Sequence, residues 1–359
     1  MTDRDQVSRQ PLLAHVAGDV PIHLVAGILF VLCLGLILES GVGRTGVESI
    51  PQNARIYFDA AVTMLVVDTV WQLFRHRPTK PVRHLLDRYR QRLADPQALA
   101  RLPLLVIAIA FMPFFSKLKS MIPLFNDFHW DPVFIAWDRA LFRGQDAATA
   151  LQPILGYPLV TSSLSFLYHA WVLQIYVGVL FFLFYRAARP ATRQYFLSFV
   201  LIWTVIGFAL ATAFASVGPC FVGPIFGDTT FDAHMAYLQA ADERFPVLTL
   251  NVQHQLLEWY REGKGGLGSG ITAMPSMHVA MAQLTWLAVR RISRVAGWWF
   301  FAFFVIIWIG SVHLGYHYAV DGLISIIATT AIWAASGAVL RAWDRRPTTA
   351  LGAEVAVPA

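Results

Sequence analysis

The segment Met274-Pro275-Ser276-Met277-His278 combines a helix start with a side chain that can transfer a proton. A proline suits the first turn of a helix, because its missing N–H would have no acceptor there. The free amides of Ser276, Met277 and His278 are then expected to point out of the helix N-terminus, where they favour an anion such as phosphate. His278 itself can give or take a proton near neutral pH. The segment therefore predicts an anion site with an acid–base group, the alternative being a helix cap with an incidental histidine.

A second chemically capable pair is His317 and Asp321. Residues four apart share one face of a helix, so the carboxylate is expected to contact the imidazole and fix its tautomer. The other ring nitrogen is then available as a nucleophile or base. His313 lies four residues before His317, so the same face could instead carry a His/His/Asp metal site. No His-Glu-x-x-His pattern and no fourth ligand accompany it, so the sequence favours chemistry without a metal or cofactor.

The elements that carry these residues are predicted to be membrane helices. The chain has 359 residues, of which 57% are hydrophobic and 14% charged, against about 25% charged in a typical soluble domain. This composition excludes a disordered chain, a coiled coil and most soluble α/β enzymes, and it predicts an all-α polytopic membrane protein. The net charge of +6 is spread between apolar runs, which argues against a nucleic-acid partner. Cys33 and Cys220 are too few for a disulfide framework or a Cys-rich metal site.

Eight apolar runs are long enough to cross a bilayer, for which roughly 17–25 residues are needed. The third run is irregular, because Pro113 and Pro123 flank Lys117 and Lys119. The predicted spans are 21–38, 56–74, 102–124, 159–185, 195–217, 272–289, 295–312 and 318–340.

The basic residues indicate the orientation of these spans. If the N-terminus is cytoplasmic, 19 of the 28 Lys and Arg residues fall in inside segments, as the positive-inside rule predicts. Both termini are then inside, and the long loops 125–158 and 218–271 are outside. The short loops and the lack of a recognisable sorting signal favour a bacterial inner membrane. The polar residues at the outer ends of spans are Lys117, Lys119, His278, His313, His317 and Asp321.

Two connecting segments have amphipathic character. The inside loop 75–101 alternates arginines with leucines and is expected to anchor on the cytoplasmic leaflet. The stretch Val252–Tyr260 has near-helical spacing, and it fits either an interfacial helix on the outer leaflet or a helix packed on the bundle. We divide the chain into an N-terminal helix pair with its basic loop (1–101), a catalytic membrane domain (102–346) and a disordered tail (347–359).

The pattern Pro-Ser-x-His at the outer end of one span, followed by His-x-x-x-Asp at the outer end of a later one, resembles the phosphatidic acid phosphatase type 2 superfamily. The resemblance is best over residues 160–340 and implies a six-helix core. It also implies that His317 attacks phosphorus to form a phosphohistidine, that Asp321 orients His317 and that His278 protonates the leaving oxygen. No metal is needed in this scheme.

The sequence departs from that family at its basic residues. The usual Lys-x6-Arg-Pro motif is absent, and Gly310-Ser311 stands where Ser-Arg usually precedes the last histidine. A transferring phosphoryl group still needs its charge neutralised. We expect Ser276 and one or both of Lys117 and Lys119 to bind the phosphate, the alternative being that the lysines extend to the interface.

The same departures, with the turn at Gly218-Pro219, are similar to the inositol phosphorylceramide synthase branch, in which the acceptor is a lipid hydroxyl. Tyr168 and His169 could line an acceptor cavity, although a buried pair with satisfied hydrogen bonds is the simpler interpretation. The resemblance thus implies a lipid phosphotransferase at the outer face, with a lipid phosphate as substrate and a lipid alcohol as acceptor.

Three other functions compete with this prediction. The first is a phosphatase that hydrolyses a phosphatidic acid-like or polyprenyl phosphate. The second is a transporter or flippase with a His/Asp proton relay, for which Asp68 would be the midplane group. The third is a catalytically inactive lipid-binding protein, which the missing basic motif would explain.

Overall fold

The computed structural model describes residues 12–41 and 46–346, and all regular structure in these residues is helical, which confirms the all-α prediction. Short 3-10 turns lie at Val47–Ser49, Arg186–Ala188 and Thr229–Phe231, and a π-helical stretch, Ile202–Leu210, joins α10 to α11. The helices are α1 Leu12–Glu39, α2 Ile50–His76, α3 Pro81–Leu93, α4 Pro96–Leu99, α5 Leu102–Ser120, α6 Ile122–Phe125, α7 Asp131–Leu141, α8 Ala147–Leu155, α9 Pro158–Phe184, α10 Arg189–Leu201, α11 Ala211–Ala213, α12 Pro219–Phe226, α13 Asp232–Asp242, α14 Leu248–Arg261, α15 Met277–Val289, α16 Arg294–His313 and α17 Ala319–Asp344.

Among the described residues, seven helical stretches are long and apolar enough to cross a membrane, so the chain is an integral membrane protein. They are Val16–Glu39, Val47–His76, Pro96–Ser120, Pro158–Phe184, Arg186–Ala213, Arg294–His313 and Ala319–Asp344.

The predicted sixth span, 272–289, is instead the 13-residue apolar helix α15. At 1.5 Å per residue, α15 extends about 20 Å, against about 30 Å for a bilayer core. It starts late because the preceding backbone is held elsewhere: the Ala273 N–H donates to the Ser216 carbonyl (3.0 Å), and the Met274 N–H donates to Ser216 Oγ (3.1 Å).

The short helix α15 is the centre of the bundle. It packs against α9, α10, α16 and α17, and nearly all of its residues after His278 are buried. Small residues such as Ala280, Ala282 and Ala288 allow the surrounding helices to approach closely. The N-terminus of α15 is therefore fixed in the protein interior by helices on all sides.

The first two helices are peripheral by comparison. α1 packs on α5 and α10, and α2 packs on α5 and α9. In the most apolar 18-residue stretch of each of these two spans, only 22% and 17% of the residues are buried, against 61% in the span that contains α10. Large apolar side chains such as Ile28, Phe58 and Phe74 are exposed along them, which is the pattern of a lipid-facing surface.

The crossing of α16 and α17 depends on one glycine. An ideal Cβ at Gly322 would lie 2.0 Å from Nε1 of Trp308. That indole N–H donates to the Ala319 carbonyl at 3.2 Å. Since no side chain fits between the two helices here, the start of α17 lies directly against α16.

One end of the bundle gathers arginine–aspartate pairs. The Asp95 carboxylate accepts from Arg186 and Arg189, beside the C-terminus of α9. Asp68, which the transporter alternative would place alone at the midplane, contacts Arg88 (3.3 Å) and Arg92 (3.1 Å) of α3. Asp68 is therefore part of an ion-pair cluster that joins α2 to α3.

Candidate active site

His317 lies in the turn between α16 and α17, one residue before Tyr318 caps α17. Its Nδ1 is 2.9 Å from the Ala273 carbonyl and 3.1 Å from Oδ2 of Asp321. Both partners are acceptors, so Nδ1 carries the proton and Nε2 presents its lone pair.

The contact between His317 and Asp321 forms, but not on a helical face as the spacing argument assumed. Oδ2 of Asp321 also accepts from the Tyr318 N–H at 3.0 Å, as the third-position carboxylate of a capping box. His317 precedes the cap and therefore lies outside the helix. The carboxylate reaches the imidazole because it turns back over the helix start.

Burial keeps this imidazole neutral. His317 is 5% exposed, and burial lowers its pKa to about 3. The hydrogen bond to the Ala273 carbonyl acts in the opposite direction, and the nearby Lys119 ammonium lowers the pKa further. Above about pH 4, His317 is therefore an unprotonated imidazole with an oriented ring.

His278 lies beside His317, with 5.8 Å between ring centroids. Its ring stacks on Tyr168 (4.3 Å) and Trp171 (4.1 Å), and the Trp171 indole N–H donates to the His278 carbonyl at 3.0 Å. Both histidines border a cavity of about 50 Å³ together with Pro275, Gly270 and Tyr316. A cavity of this size admits a group of a few heavy atoms.

The start of α15 corrects one prediction. Pro275 lies outside the helix rather than in its first turn, and Ser276 is the N-cap, with Oγ accepting from the Val279 N–H at 3.4 Å. The Ser276 N–H is not free, because it donates to the Asp321 carbonyl (3.4 Å). The amides of Met277 and His278 remain first-turn donors without an acceptor in the helix.

A family model described as the PAP2 superfamily matches residues 133–335, more than half of the chain. The chain belongs to the PAP2 superfamily. The match contains His278, His317 and Asp321, and it confirms the superfamily resemblance. No curated protein and no solved structure matches the chain. Membership in the PAP2 superfamily points to lipid phosphatase or phosphotransferase activity.

The two candidate lysines precede the PAP2 match and point to different places. Lys119 lies near His317, whose pKa its charge lowers. Its backbone packs on Gly270, where an ideal Cβ would lie 2.8 Å from the Lys119 carbonyl carbon. Lys117 lines a separate, larger cavity. Residues two apart on a helix are about 200° apart around its axis, so both lysines cannot face one cavity.

Two further carboxylates of this PAP2 protein support the site, and sequence reasoning missed their role. Asp131 accepts from the Val217 and Gly218 N–H groups (both 3.0 Å) and from the Tyr318 hydroxyl (2.8 Å). Asp138 accepts from the first two amides of α17, those of Ala319 (2.8 Å) and Val320 (3.0 Å). Burial raises the pKa of both carboxyls, and these hydrogen bonds oppose the shift. Their seven-residue spacing on one face of α7 was the available signal.

The His/His/Asp metal alternative does not form. Nε2 of His313 contacts Thr161 Oγ1 at 2.9 Å, and Thr161 in turn contacts the Tyr237 hydroxyl at 2.7 Å. His234 donates to the His313 carbonyl at 2.9 Å. Within residues 12–41 and 46–346, no group of three or more His, Cys, Asp or Glu side chains is placed to hold a metal ion.

Tyr168 and His169 behave differently from each other. Nδ1 of His169 donates to the Ser165 carbonyl (2.9 Å), as expected for a satisfied side chain. Tyr168 is buried between His278 and Tyr316, and its hydroxyl has no hydrogen-bond partner in the part of the chain described. Tyr168 therefore packs against the site and fixes the His278 ring.

The amphipathic stretch Val252–Tyr260 belongs to α14, which packs on the bundle beside this site. Gln253 donates to the Leu314 carbonyl (2.8 Å), and the Tyr316 hydroxyl donates to the Thr249 carbonyl (3.1 Å). The packed-helix alternative is therefore the one that the structure favours.

Proposed function

We propose that this protein is a lipid phosphotransferase that moves a phosphate or phospho-head-group from a lipid donor to a lipid alcohol through a phosphohistidine on His317. The observation that carries the proposal is the double acceptor arrangement at Nδ1, with Asp321 at 3.1 Å and the Ala273 carbonyl at 2.9 Å. It fixes the tautomer in which Nε2 is the nucleophile. Superfamily membership supports the reaction class.

The first half-reaction forms a bond between Nε2 of His317 and phosphorus. The phosphorus–oxygen bond to the leaving group breaks at the same centre. His278, which must first take up a proton because burial lowers its pKa, gives that proton to the leaving oxygen. The phosphorylated imidazole becomes cationic, and the Asp321 carboxylate stabilises it. The products are a lipid alcohol and the phosphohistidine.

The second half-reaction reverses these steps. The acceptor hydroxyl gives its proton to His278, its oxygen forms a bond to phosphorus, and the bond between phosphorus and His317 breaks. With water as the acceptor, the same steps give hydrolysis. A lipid phosphate phosphatase is thus the second candidate, since it needs no other group.

In this proposal Lys119 neutralises the charge on the phosphoryl oxygens, and the amides of Met277 and His278 at the start of α15 donate to the same oxygens. Ser276 contributes by capping that helix end, where it is fully buried. This arrangement would take the place of the missing basic motif. Where that motif usually stands, the Ser311 carbonyl accepts from the Tyr316 and His317 N–H groups (both 3.1 Å) and closes the turn before His317.

The likeness to the inositol phosphorylceramide synthase branch is what favours transfer over hydrolysis. Its Gly218-Pro219 turn lies against the site: Gly218 has φ 88°, and an ideal Cβ there would lie 2.5 Å from the Tyr316 carbonyl oxygen. The Cys220 N–H donates to the Gly315 carbonyl at 2.8 Å. The turn thus shapes one side of the site, where an acceptor alcohol would approach.

We further propose that the site faces the periplasm or an equivalent lumen, with both termini cytoplasmic, in a bacterial inner membrane. Support comes from the arginine pairs, which lie at the end of α9 opposite the histidines, as the positive-inside rule requires. The catalytic domain is then 102–346. The N-terminal residues 1–11 and the predicted disordered tail 347–359 lie outside the described residues.

A mixed-micelle assay of the purified protein tests the proposal. A labelled glycerophospholipid is supplied with and without diacylglycerol or ceramide, and both released phosphate compounds and new phospholipids are measured. We expect a new phospholipid only when an acceptor is present, and at least a 10³-fold loss of turnover in His317→Ala and His317→Gln.

His254→Ala is the matched control, because His254 is an exposed histidine of α14. Normal turnover in His317→Ala would show that the mechanism is wrong. Release to water regardless of acceptor would establish the phosphatase instead.

A further inference from the structure

Helix α14 lies on the turn that leads to His317. The Tyr316 hydroxyl donates to the Thr249 carbonyl at 3.1 Å. Gln253, one helical turn after Thr249, donates to the Leu314 carbonyl at 2.8 Å. These two hydrogen bonds fix the inner face of α14 to the residues directly before His317.

Leu256 continues this inner face. It follows Gln253 by three positions, and residues three or four apart lie on the same side of a helix. Leu256 borders the cavity of about 50 Å³ that contains the ring edges of His278 and His317, here called the catalytic cavity. It also packs against an apolar cluster that includes Phe221 of α12. Leu256 is therefore part of the wall of the catalytic cavity, and its neighbours hold it there.

The opposite face of α14 is exposed to solvent. It carries Asn251, His254, Gln255 and Glu258, all of them exposed. The side chains of His254 and Glu258 are 74% and 49% exposed, and they contact each other at 3.7 Å. Since these positions lie about half a turn around the helix from Leu256, α14 is the layer between the aqueous phase and this side of the catalytic cavity.

The wall of the catalytic cavity offers few partners to a water molecule. Its apolar side chains include Val217, Phe221, Leu256, Ile271 and Met277. Its polar side chains are Thr272, Tyr316 and the two histidines, and the Tyr316 hydroxyl is already bonded to Thr249. With phosphorus on Nε2 of His317, the side chains left to bind water are those of Thr272 and His278.

An alcohol meets this wall on better terms than water does. A buried water needs roughly two to four polar partners. A hydroxyl on a hydrocarbon needs fewer, and its carbon atoms gain from contact with apolar side chains. Leu256 is the apolar side chain that α14 contributes to the wall, on the side where water is nearest.

We infer that Leu256 determines how the phosphohistidine divides between an alcohol acceptor and water. The inference rests on the proposed function. In both reactions the acceptor oxygen forms a bond to phosphorus, the bond between phosphorus and Nε2 of His317 breaks, and the acceptor proton passes to His278. Leu256 denies water room and a hydrogen-bond partner beside the phosphoryl group, so transfer to the alcohol is the main outcome.

Substitutions of Leu256 test the inference through a product ratio. Micelles contain a labelled glycerophospholipid and a fixed amount of ceramide, and the released phosphate compound and the new phospholipid are measured in one reaction. Because both products come from the same intermediate, their ratio does not depend on how fast the phosphohistidine forms.

The variants change the wall in different ways. Leu256→Asn adds a hydrogen-bonding group, and Leu256→Ala makes room for water. Each should raise the ratio of hydrolysis to transfer about fivefold, the effect of one added hydrogen bond. Leu256→Met keeps an apolar wall and should give the wild-type ratio. Leu256 is half-buried, so the variants are expected to fold.

Leu257 supplies the matched control. It is the next residue of α14 and packs against the same apolar cluster, but it does not border the catalytic cavity. Leu257→Asn and Leu257→Ala should leave the ratio as in wild type. An effect confined to Leu256 therefore separates access of water to the cavity from a general loosening of α14.

Two results would overturn the inference while wild type still makes the new phospholipid and the proposed function stands. One is a ratio that rises in neither Leu256→Asn nor Leu256→Ala, and the other is an equal rise in the Leu257 variants. If wild type releases phosphate compounds to water and makes no new phospholipid with ceramide present, the inference and the proposed transfer reaction are both wrong.

Discussion

The two ends of the bundle both bury carboxylates, but they neutralise them differently. At the arginine end, Asp68 and Asp95 each contact two arginine side chains. At the histidine end, Asp131 and Asp138 are held by backbone N–H groups, and Asp321 by one such group and an imidazole. None of these three contacts a lysine or arginine among the described residues.

The difference separates a structural role from a chemical one. A carboxylate paired with two arginines keeps its charge balanced whatever happens nearby. A carboxylate held by amides retains a negative potential that can respond to new positive charge, such as a phosphorylated imidazole. On the proposed mechanism, the histidine end is therefore arranged for a change of charge, and the arginine end for holding helices together.

Asp321→Asn should give the largest effect. The amide cannot balance a cationic His317, and its NH2 group favours the wrong tautomer, so kcat is expected to fall about 10³–10⁴-fold. Single-turnover assays measure it, with Asp344→Asn at the exposed end of the same helix as control. A loss below tenfold would mean that Asp321 acts only as a helix cap.

Asp138→Asn tests whether the α7 carboxylates position the site. One of the two α17 amides loses its acceptor, which should lower the free energy of unfolding by about 2 kcal/mol. We expect kcat to fall about tenfold with KM unchanged, because the start of α17 moves but the lipid-binding surfaces do not. Asp127→Asn, an exposed neighbour on the preceding loop, is the control, and an unchanged kcat would contradict the positioning role.

Asp68→Asn should affect stability alone. Its arginine partners are about a third exposed and can turn to water, so we expect a loss of about 1 kcal/mol in the free energy of unfolding. Turnover of folded protein should stay within twofold. Asp59→Asn, which removes a solvent-exposed pair with Arg55 on the same helix, should change neither. A large loss of activity in Asp68→Asn would revive the transporter alternative.

Lys119→Met should give the smallest effect on stability, through its pH dependence. Folded His317 has a pKa of about 3 through burial and, in part, the Lys119 charge, whereas an unfolded histidine titrates near 6.5. Between these values the unfolded chain binds more protons, so stability rises with pH in this window. Removing the ammonium raises the folded pKa and flattens that slope at its acid end, in thermal unfolding between about pH 3 and 4.5. Lys80→Met should leave the slope as in wild type.

The fold was predictable from the sequence to the extent that hydropathy reports it. Seven of the eight apolar runs correspond to helices that can span a membrane, although α1 and α2 begin earlier than predicted. The remaining run, 272–289, contains the shorter helix α15. It is shorter because Ser216, from a distant part of the chain, forms hydrogen bonds with the backbone of Ala273 and Met274. No local pattern encodes that contact.

The candidate site was likewise predictable from the sequence only in part. His317 and Asp321 were predictable because their contact is local. The choice between Lys117 and Lys119 depends on the rotation of α5 against the bundle, which helix packing determines. Asp131 and Asp138 bond to residues more than 80 positions away, so a single sequence shows their seven-residue spacing but not their partners. The domain boundaries and the role of each site residue remain predictions.

The glycine at the crossing of α16 and α17 also determines which substitutions this helix tolerates. In a library that replaces each residue of α17 by every other amino acid, every replacement of Gly322 should be depleted under selection for function. Leu323, next to it, and Ile327 are 37% and 67% exposed, so they should accept most apolar residues. The position directly after Asp321 thus has almost no freedom to vary, while the lipid-facing side of the same helix can change with the membrane around it.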